Sequence, residues 1–207
     1  MVWEPAREVW DAGEHAQGRL AYVGGSVIGP NETVQRPPGA GAVVLAEYLK
    51  AHFEGVNSVG IRRGAAVVKP LIDPVTGLAR GRDIHEEGRA LDVMIAAKRF
   101  GPPVADWLVL NALQLGVQYV IWDSVEWSVS QRGPAWESYH GTNPHTDHVH
   151  CEVIPIMAQS ATLMREALSH ETTEGVQWGK WAALGAAAWF AREVWKRQRR
   201  RGRRSTV

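Results

Sequence analysis

The alternation of apolar and polar positions divides the middle of the chain into recognisable elements. From Ala42, "AVVLAEYLKAHFEG" sets Val44, Leu45, Tyr48, Leu49 and His52 at helical spacing, with Gly55 as a stop signal. "VNSVGIRR" predicts a short strand, and "RALDVMIA" a second one. Between them "KPLIDPVTGLARGRD" carries two prolines and two glycines, which marks a long surface loop. "PPVADWLVLNALQLG" predicts a helix opened by prolines and closed by Gly116. "VQYVIW" and "EWSVS" flank Asp123-Ser124 as a hairpin, "QRGPAWESYHGTNPHTD" reads as a second long loop, and "HVHCEVI" as a final strand. The pattern predicts an α+β domain with a small, mostly antiparallel sheet and flanking helices over residues 42–157. Residues 1–41 form a lead-in ending in the loop "GPNETVQRPPGAG", and residues 158–207 a C-terminal helix with a polybasic tail.

Composition adds limits. The 207 residues are 45% hydrophobic and 22% charged, a globular balance. One cysteine, Cys151, excludes an internal disulfide framework. The N-terminus carries acids and lacks a long apolar core, so no signal peptide is expected.

The net charge of +1 hides two opposed parts. From Arg192 onward there are eight Lys/Arg and one acid, which leaves 15 basic and 21 acidic residues in the body of the chain, a charge of −6. Ahead of that basic run, "VQWGKWAALGAAAWFAREVW" places Trp178, Trp181, Trp189 and Trp195 on a candidate helix. Only 11 uncharged residues lie between Lys180 and Arg192, short of the ~20 needed to span a bilayer. An interfacial helix on an anionic membrane and a helix docked on its own domain both fit. Nucleic acid is not an expected partner, and the oligomeric state is left open.

Candidate chemistry follows from strand parity. In "HVHCEVI", His148, His150 and Glu152 share one face while Val149, Cys151 and Val153 share the other. In "RALDVMI", Asp92 lies opposite Leu91, Val93 and Ile95. If these strands are neighbours, Asp92 and His150 converge, and His85 at the mouth of its loop can join them. Two imidazoles and one carboxylate make a first shell with an open position, as catalytic zinc requires. Taken singly, a surface histidine pair or an aspartate held by backbone amides explains each residue as well. His140 and His145, both in a loop, are expected to face solvent. Cys151 lies on the face away from the histidines, so a buried structural thiol is expected there rather than a nucleophile.

"HEEGRALD" followed by "HVH" resembles the H–x2–G–x–A–x–D and H–x–H motifs of the LAS metallopeptidases. That group includes VanY-like D-alanyl-D-alanine carboxypeptidases and phage L-alanyl-D-glutamate endopeptidases. "GVQYVIWDSVEWS…NPHTDHVHCEV" is similar to a peptidoglycan-peptidase-like domain of actinobacteria and their phages. The resemblance covers residues 42–155 and implies a LAS/hedgehog-like zinc peptidase fold. It implies zinc held by His85, Asp92 and His150, with His148 as base or transition-state stabiliser. It also implies an arginine on the preceding strand, Arg62 or else Arg63, holding a substrate carbonyl or carboxylate. Asp83 stands where the family usually has serine. The family's glutamate base in a Glu–x–x–His pattern is missing, since Glu137 and His140 show that spacing too far upstream of His150. Gly88 and Ala90 are small enough for close packing near the metal. Zinc would bring the pKa of its water to about 7.

The implied function is hydrolysis of an amide bond in the stem or cross-link peptides of peptidoglycan, by an endolysin or a related cell-wall enzyme. Such an enzyme would be made in the cytoplasm and act on the wall, with the tail as a possible membrane contact. Whether it is an endo- or a carboxypeptidase is left open. The rival expectations are a catalytically silent wall-binding module of the same fold and a metal-dependent nuclease.

Overall fold

A computed structural model describes residues 3–25, 37–61, 71–72, 79–80, 84–130 and 136–169. The helix expected from Ala42 is α2 (Ala40–His52), which buries Gly41, Ala42, Leu45, Ala46 and Leu49 on one side. The chain turns at Gly55 with φ +77° and enters β1 (Val56–Gly60). The strand expected from "RALDVMIA" is β4 (Ala90–Ile95). Within the long loop between them, β2 (Leu71–Ile72) and β3 (Ala79–Arg80) pair as a separate two-stranded ribbon.

The next helix is split, as α3 (Gly101–Leu110) and α4 (Ala112–Leu115). At the break Asn111 leaves helical dihedrals (φ −100°, ψ 14°), and its side-chain amide donates to the Trp107 carbonyl at 2.9 Å beside its own backbone N–H. Gly116, at φ +68°, closes α4 in the left-handed conformation that favours glycine. β5 (Val117–Trp122) and β6 (Val125–Ser128) form the expected hairpin. Asp123 and Ser124 have φ of +51° and +66°, the positive pair that a type I′ loop needs. The second long loop contains one more strand, β7 (Trp136–Ser138), followed by β8 (His148–Val153). β7 was not expected because, as an edge strand, it exposes Glu137 and Ser138 and buries Trp136 alone. α5 (Pro155–Gln159) and α6 (Ala161–Ser169) end the described chain.

The main sheet is antiparallel throughout, in the order β1-β4-β8-β5-β6-β7, so the fold is α+β as the pattern indicated. β8 lies at its centre, and all six of its residues are buried, which requires cover on both faces. On one face α2 and α3 pack over Leu91, Val93, Val149, Cys151 and Val153, and this is the hydrophobic core. The other face carries the polar side chains. No helix among the described residues is long and apolar enough to cross a membrane.

The lead-in contains α1 (Arg7–Ala16), which buries Val9, Gly13 and Ala16. Trp3 meets Trp136 edge to face with ring centres 4.5 Å apart, and Trp10 stacks on Trp136 at 6.1 Å. A Cβ on Gly13 would fall 2.5 Å from the Trp127 indole nitrogen, so the glycine is what lets α1 sit this close. Trp3 also donates its indole N–H to Asp106 Oδ1 at 2.9 Å. Burial raises the Asp106 pKa from 3.8 to about 7 against the opposing pull of that hydrogen bond.

This shift has a signed consequence. The unfolded chain ionises Asp106 near pH 4, the folded one only near 7. Its favourable contribution is full below the first value and is lost as pH rises to the second. Asp106→Asn keeps an acceptor for Trp3 and removes the titration. Melting temperatures measured between about pH 4 and 8 should show the variant gaining on the wild type up to about pH 7 and level above it.

Candidate metal centre

Asp92 and His150 are brought together by register. β4 and β8 run antiparallel with Asp92 opposite His150, Met94 opposite His148 and Ala90 opposite Glu152. The same parity that sends Leu91, Val93, Val149 and Cys151 into the core sends the polar set to the other face. His85 arrives from the turn just before β4. That turn is closed by Gly88 at φ +68°, whose carbonyl accepts the Gly39 N–H at 2.7 Å. A Cβ on Gly88 would meet the Pro37 carbonyl oxygen at 2.3 Å, so its small size serves the approach of residues 37–39. Ala90, also small, is the buried register partner of Glu152.

Three imidazole nitrogens surround one carboxylate oxygen. From Asp92 Oδ1, His150 Nδ1 is 2.9 Å away, His85 Nε2 3.2 Å and His148 Nε2 3.7 Å. Ligand atoms of His85, Asp92 and His150 all lie within 4.8 Å of one another. Tetrahedral donors at about 2.0–2.1 Å from a zinc-sized cation sit roughly 3.3 Å apart, so the spacing suits a small divalent metal. The outer contacts fit as well. His85 Nδ1 lies 3.1 Å from the Ile61 carbonyl oxygen, so an N–H there leaves Nε2 facing Asp92. His150 Nε2 lies 3.5 Å from Glu152 Oε1. Two imidazoles and a carboxylate suit zinc and several other transition metals.

Electrostatics follow from this crowding. Burial pushes the Asp92 carboxyl up, but hydrogen bonds from His150 and His85 more than reverse it and hold it well below the usual carboxylate range. Burial lowers His150, yet the carboxylates of Asp92 and Glu152 carry it up to about 9. Glu152 is lowered overall although burial opposes this, chiefly through His150. Burial raises the Cys151 thiol, with Glu152 adding to the effect. Cys151 is thus a buried thiol on the core face, where strand parity placed it.

His148 lies beside these three candidate ligands. Its Nδ1 is 2.7 Å from Asp147 Oδ1, whose side chain is 72% exposed at the mouth of the strand. The hydrogen bond to His148 holds Asp147 below the usual carboxylate range.

One expectation is overturned. His145 does not face solvent; it is 3% exposed, with its ring 4.7 Å from that of His148 and 5.6 Å from that of His150. Its N–H donates to Asn143 Oδ1 at 3.1 Å, its carbonyl accepts the Asp123 N–H at 2.9 Å, and its φ is +51°. The hairpin loop therefore pins the 139–147 segment over the polar face. Burial and the neighbouring His150 and His148 push its pKa down to about 4. His140 is exposed, as expected.

Parity already placed Glu152 on the ligand face, but not its partners. Asp147 carried no pattern signal, and His145 only the turn implied by Asn143-Pro144. Arg62, Arg63, Asp83 and the tail from residue 170 onward lie outside the described residues.

A family model described as "VldE, C-terminal domain" matches residues 40–150, more than half of the chain. No curated protein and no solved structure matches it.

Proposed function

The chain belongs to the VldE C-terminal domain family, and because the matched span holds His85, Asp92, His148 and His150 together, we propose that it is a zinc-dependent hydrolase of peptidoglycan peptides. The observation that carries this reading is the convergence of His85 and His150 on Asp92 Oδ1, with an oriented His148 alongside. His85 Nε2, Asp92 Oδ1 and His150 Nδ1 would hold the metal. When bound, zinc supplies Lewis acidity and makes water a competent nucleophile near neutral pH.

The protein's own groups do the rest. Asp147 fixes the His148 ring with its N–H at Nδ1, leaving Nε2 turned toward Asp92, where it can accept a proton from the attacking water and return it to the leaving amine. The ionised Asp147 stabilises the imidazolium that forms. Arg62 would hold the substrate carbonyl or carboxylate. The peptide substrate itself rests on the resemblance to LAS peptidases stated above.

The test is incubation of purified protein with peptidoglycan, with and without chelator, and identification of new peptide termini by mass spectrometry. The expected result is chelator-sensitive cleavage, slowed about 10²–10⁴-fold by His148→Gln with zinc binding retained. Cleavage indifferent to chelator refutes the reading. Binding to the wall without cleavage identifies a silent module instead, and cutting of DNA alone a nuclease.

A further inference from the structure

We infer that Glu152 is a positioning residue for the metal ligand His150, and that Tyr22–Gly24 of the N-terminal segment complete the site by locking Glu152 in place. The inference rests on the proposal that His150 is a metal ligand, and it adds the part of the chain that decides which ring nitrogen is offered to the cation.

The argument starts from cost. Glu152 is 7% exposed, and a carboxylate so buried is tolerated only with partners for its oxygens. Its Oε1 faces His150 Nε2 at 3.5 Å. Its Oε2 accepts from Gln118 Nε2 at 3.0 Å and from the Tyr22 hydroxyl at 3.2 Å. Gln118 sits where the pairing of β5 with β8 shifts register, between Val117 and Tyr119.

The amide of Gln118 has no freedom to flip. Its Oε1 accepts the Val23 N–H at 2.9 Å, and its Nε2 donates to the Val23 carbonyl at 3.1 Å as well as to Glu152. Reversal would set two donors against each other and two acceptors against each other. The same stretch is tied down from the other side by Arg89, whose Nη2 donates to the Val23 carbonyl at 2.7 Å and the Gly24 carbonyl at 2.8 Å. Glu152 is therefore held at Oε2 by Tyr22 and by a Gln118 amide that is itself held, which leaves Oε1 turned toward His150 Nε2. With Nδ1 given to a metal on the Asp92 side, the His150 proton belongs on Nε2, and a carboxylate fixed beside Nε2 accepts it and holds the ring in that orientation.

Tyr22 and Val23 are 39% and 40% exposed, so hydrophobic burial alone does not account for where this segment lies. Its polar bonds converge on Gln118, Arg89 and Glu152.

The test uses the full chain. Zinc affinity is measured by competition with a chromogenic chelator for the wild type, Tyr22→Phe, Glu152→Gln and the double variant, and 15N NMR of the histidine rings reads the His150 tautomer. Glu152→Gln should weaken zinc by about 10–100-fold, Tyr22→Phe by less, and the double variant no more than Glu152→Gln alone, because the hydroxyl acts through the carboxylate. The tautomer signal should shift from Nε2–H toward a mixture in both single variants. Tyr22 can lose its hydroxyl at a partly exposed position without opening a cavity, so the inference stays testable even if Glu152→Gln does not fold.

Unchanged affinity and tautomer in folded variants, with only the melting temperature lowered, would show a merely structural role and overturn it. If the wild type binds no zinc, the metal reading fails and takes this inference with it. If the wild type binds zinc and the variants bind equally, this inference fails alone.

Discussion

Asp92→Asn is expected to abolish chelator-sensitive cleavage while leaving the fold intact, and to weaken zinc by more than the ~10–100-fold that changes behind the ligands cost. Three imidazole nitrogens lie within 3.7 Å of Asp92 Oδ1, so this one oxygen is the shared electrostatic centre of the site. The substitution keeps the shape and an oxygen acceptor but removes the negative charge that would offset a bound cation. It also puts an amide N–H₂ among ring nitrogens that would have to act as acceptors toward a bound metal. Chelator competition reads the affinity, circular dichroism the fold, and mass spectrometry of the digest the activity. Wild-type affinity in the variant would mean the metal lies elsewhere.

Arg89→Met is expected to destabilise the domain by about 3–5 kcal/mol, a large share of the roughly 5–15 kcal/mol available to a native protein. Arg89 is 1% exposed, its Nε donates to Glu87 Oε2 at 2.7 Å, and Glu87 is itself 4% exposed. Methionine fills much the same volume but leaves the Glu87 carboxylate buried without its guanidinium. It also strips donors from the carbonyls of Val153, Val23 and Gly24. Urea unfolding measures the loss. A double variant with Glu87→Leu removes both charges and should recover a good part of it. The unrecovered remainder reports the three carbonyls. Recovery to wild-type stability would show that those carbonyl bonds contribute nothing net.

The parts of this molecule legible in its letters are those where one rule dominates. Period-two alternation in "RALDVMI" and "HVHCEVI" identified both the core face and the ligand face, because a slip of one residue would bury Asp92 and His150 in the core. The Asp123-Ser124 hairpin was legible because both residue types tolerate positive φ. What escaped depends on side-chain contacts, most of them across long stretches of chain. At the break an Asn111 side chain bonds a carbonyl of its own helix. β7 needs Trp136 to meet the rings of Trp3 and Trp10, more than 120 residues away in sequence. His145 needs the hairpin loop to hold its carbonyl, and Glu152 needs the lead-in to arrive at its far side. None of these leaves a mark at the spacing of a helix or a strand.

Cys151 gives the molecule a chemical clock. It is the chain's one cysteine, fully buried, on the central strand between the candidate ligand His150 and Glu152. With helices over one face of β8 and the 139–147 segment and Tyr22–Gly24 over the other, no small movement exposes that sulfur. A thiol-alkylating reagent should thus find it only when the centre of the sheet opens, and its labelling rate would count those openings. Because two of the three candidate ligands are anchored on the same pair of strands, the reagent and the escaping metal would be waiting for the same event.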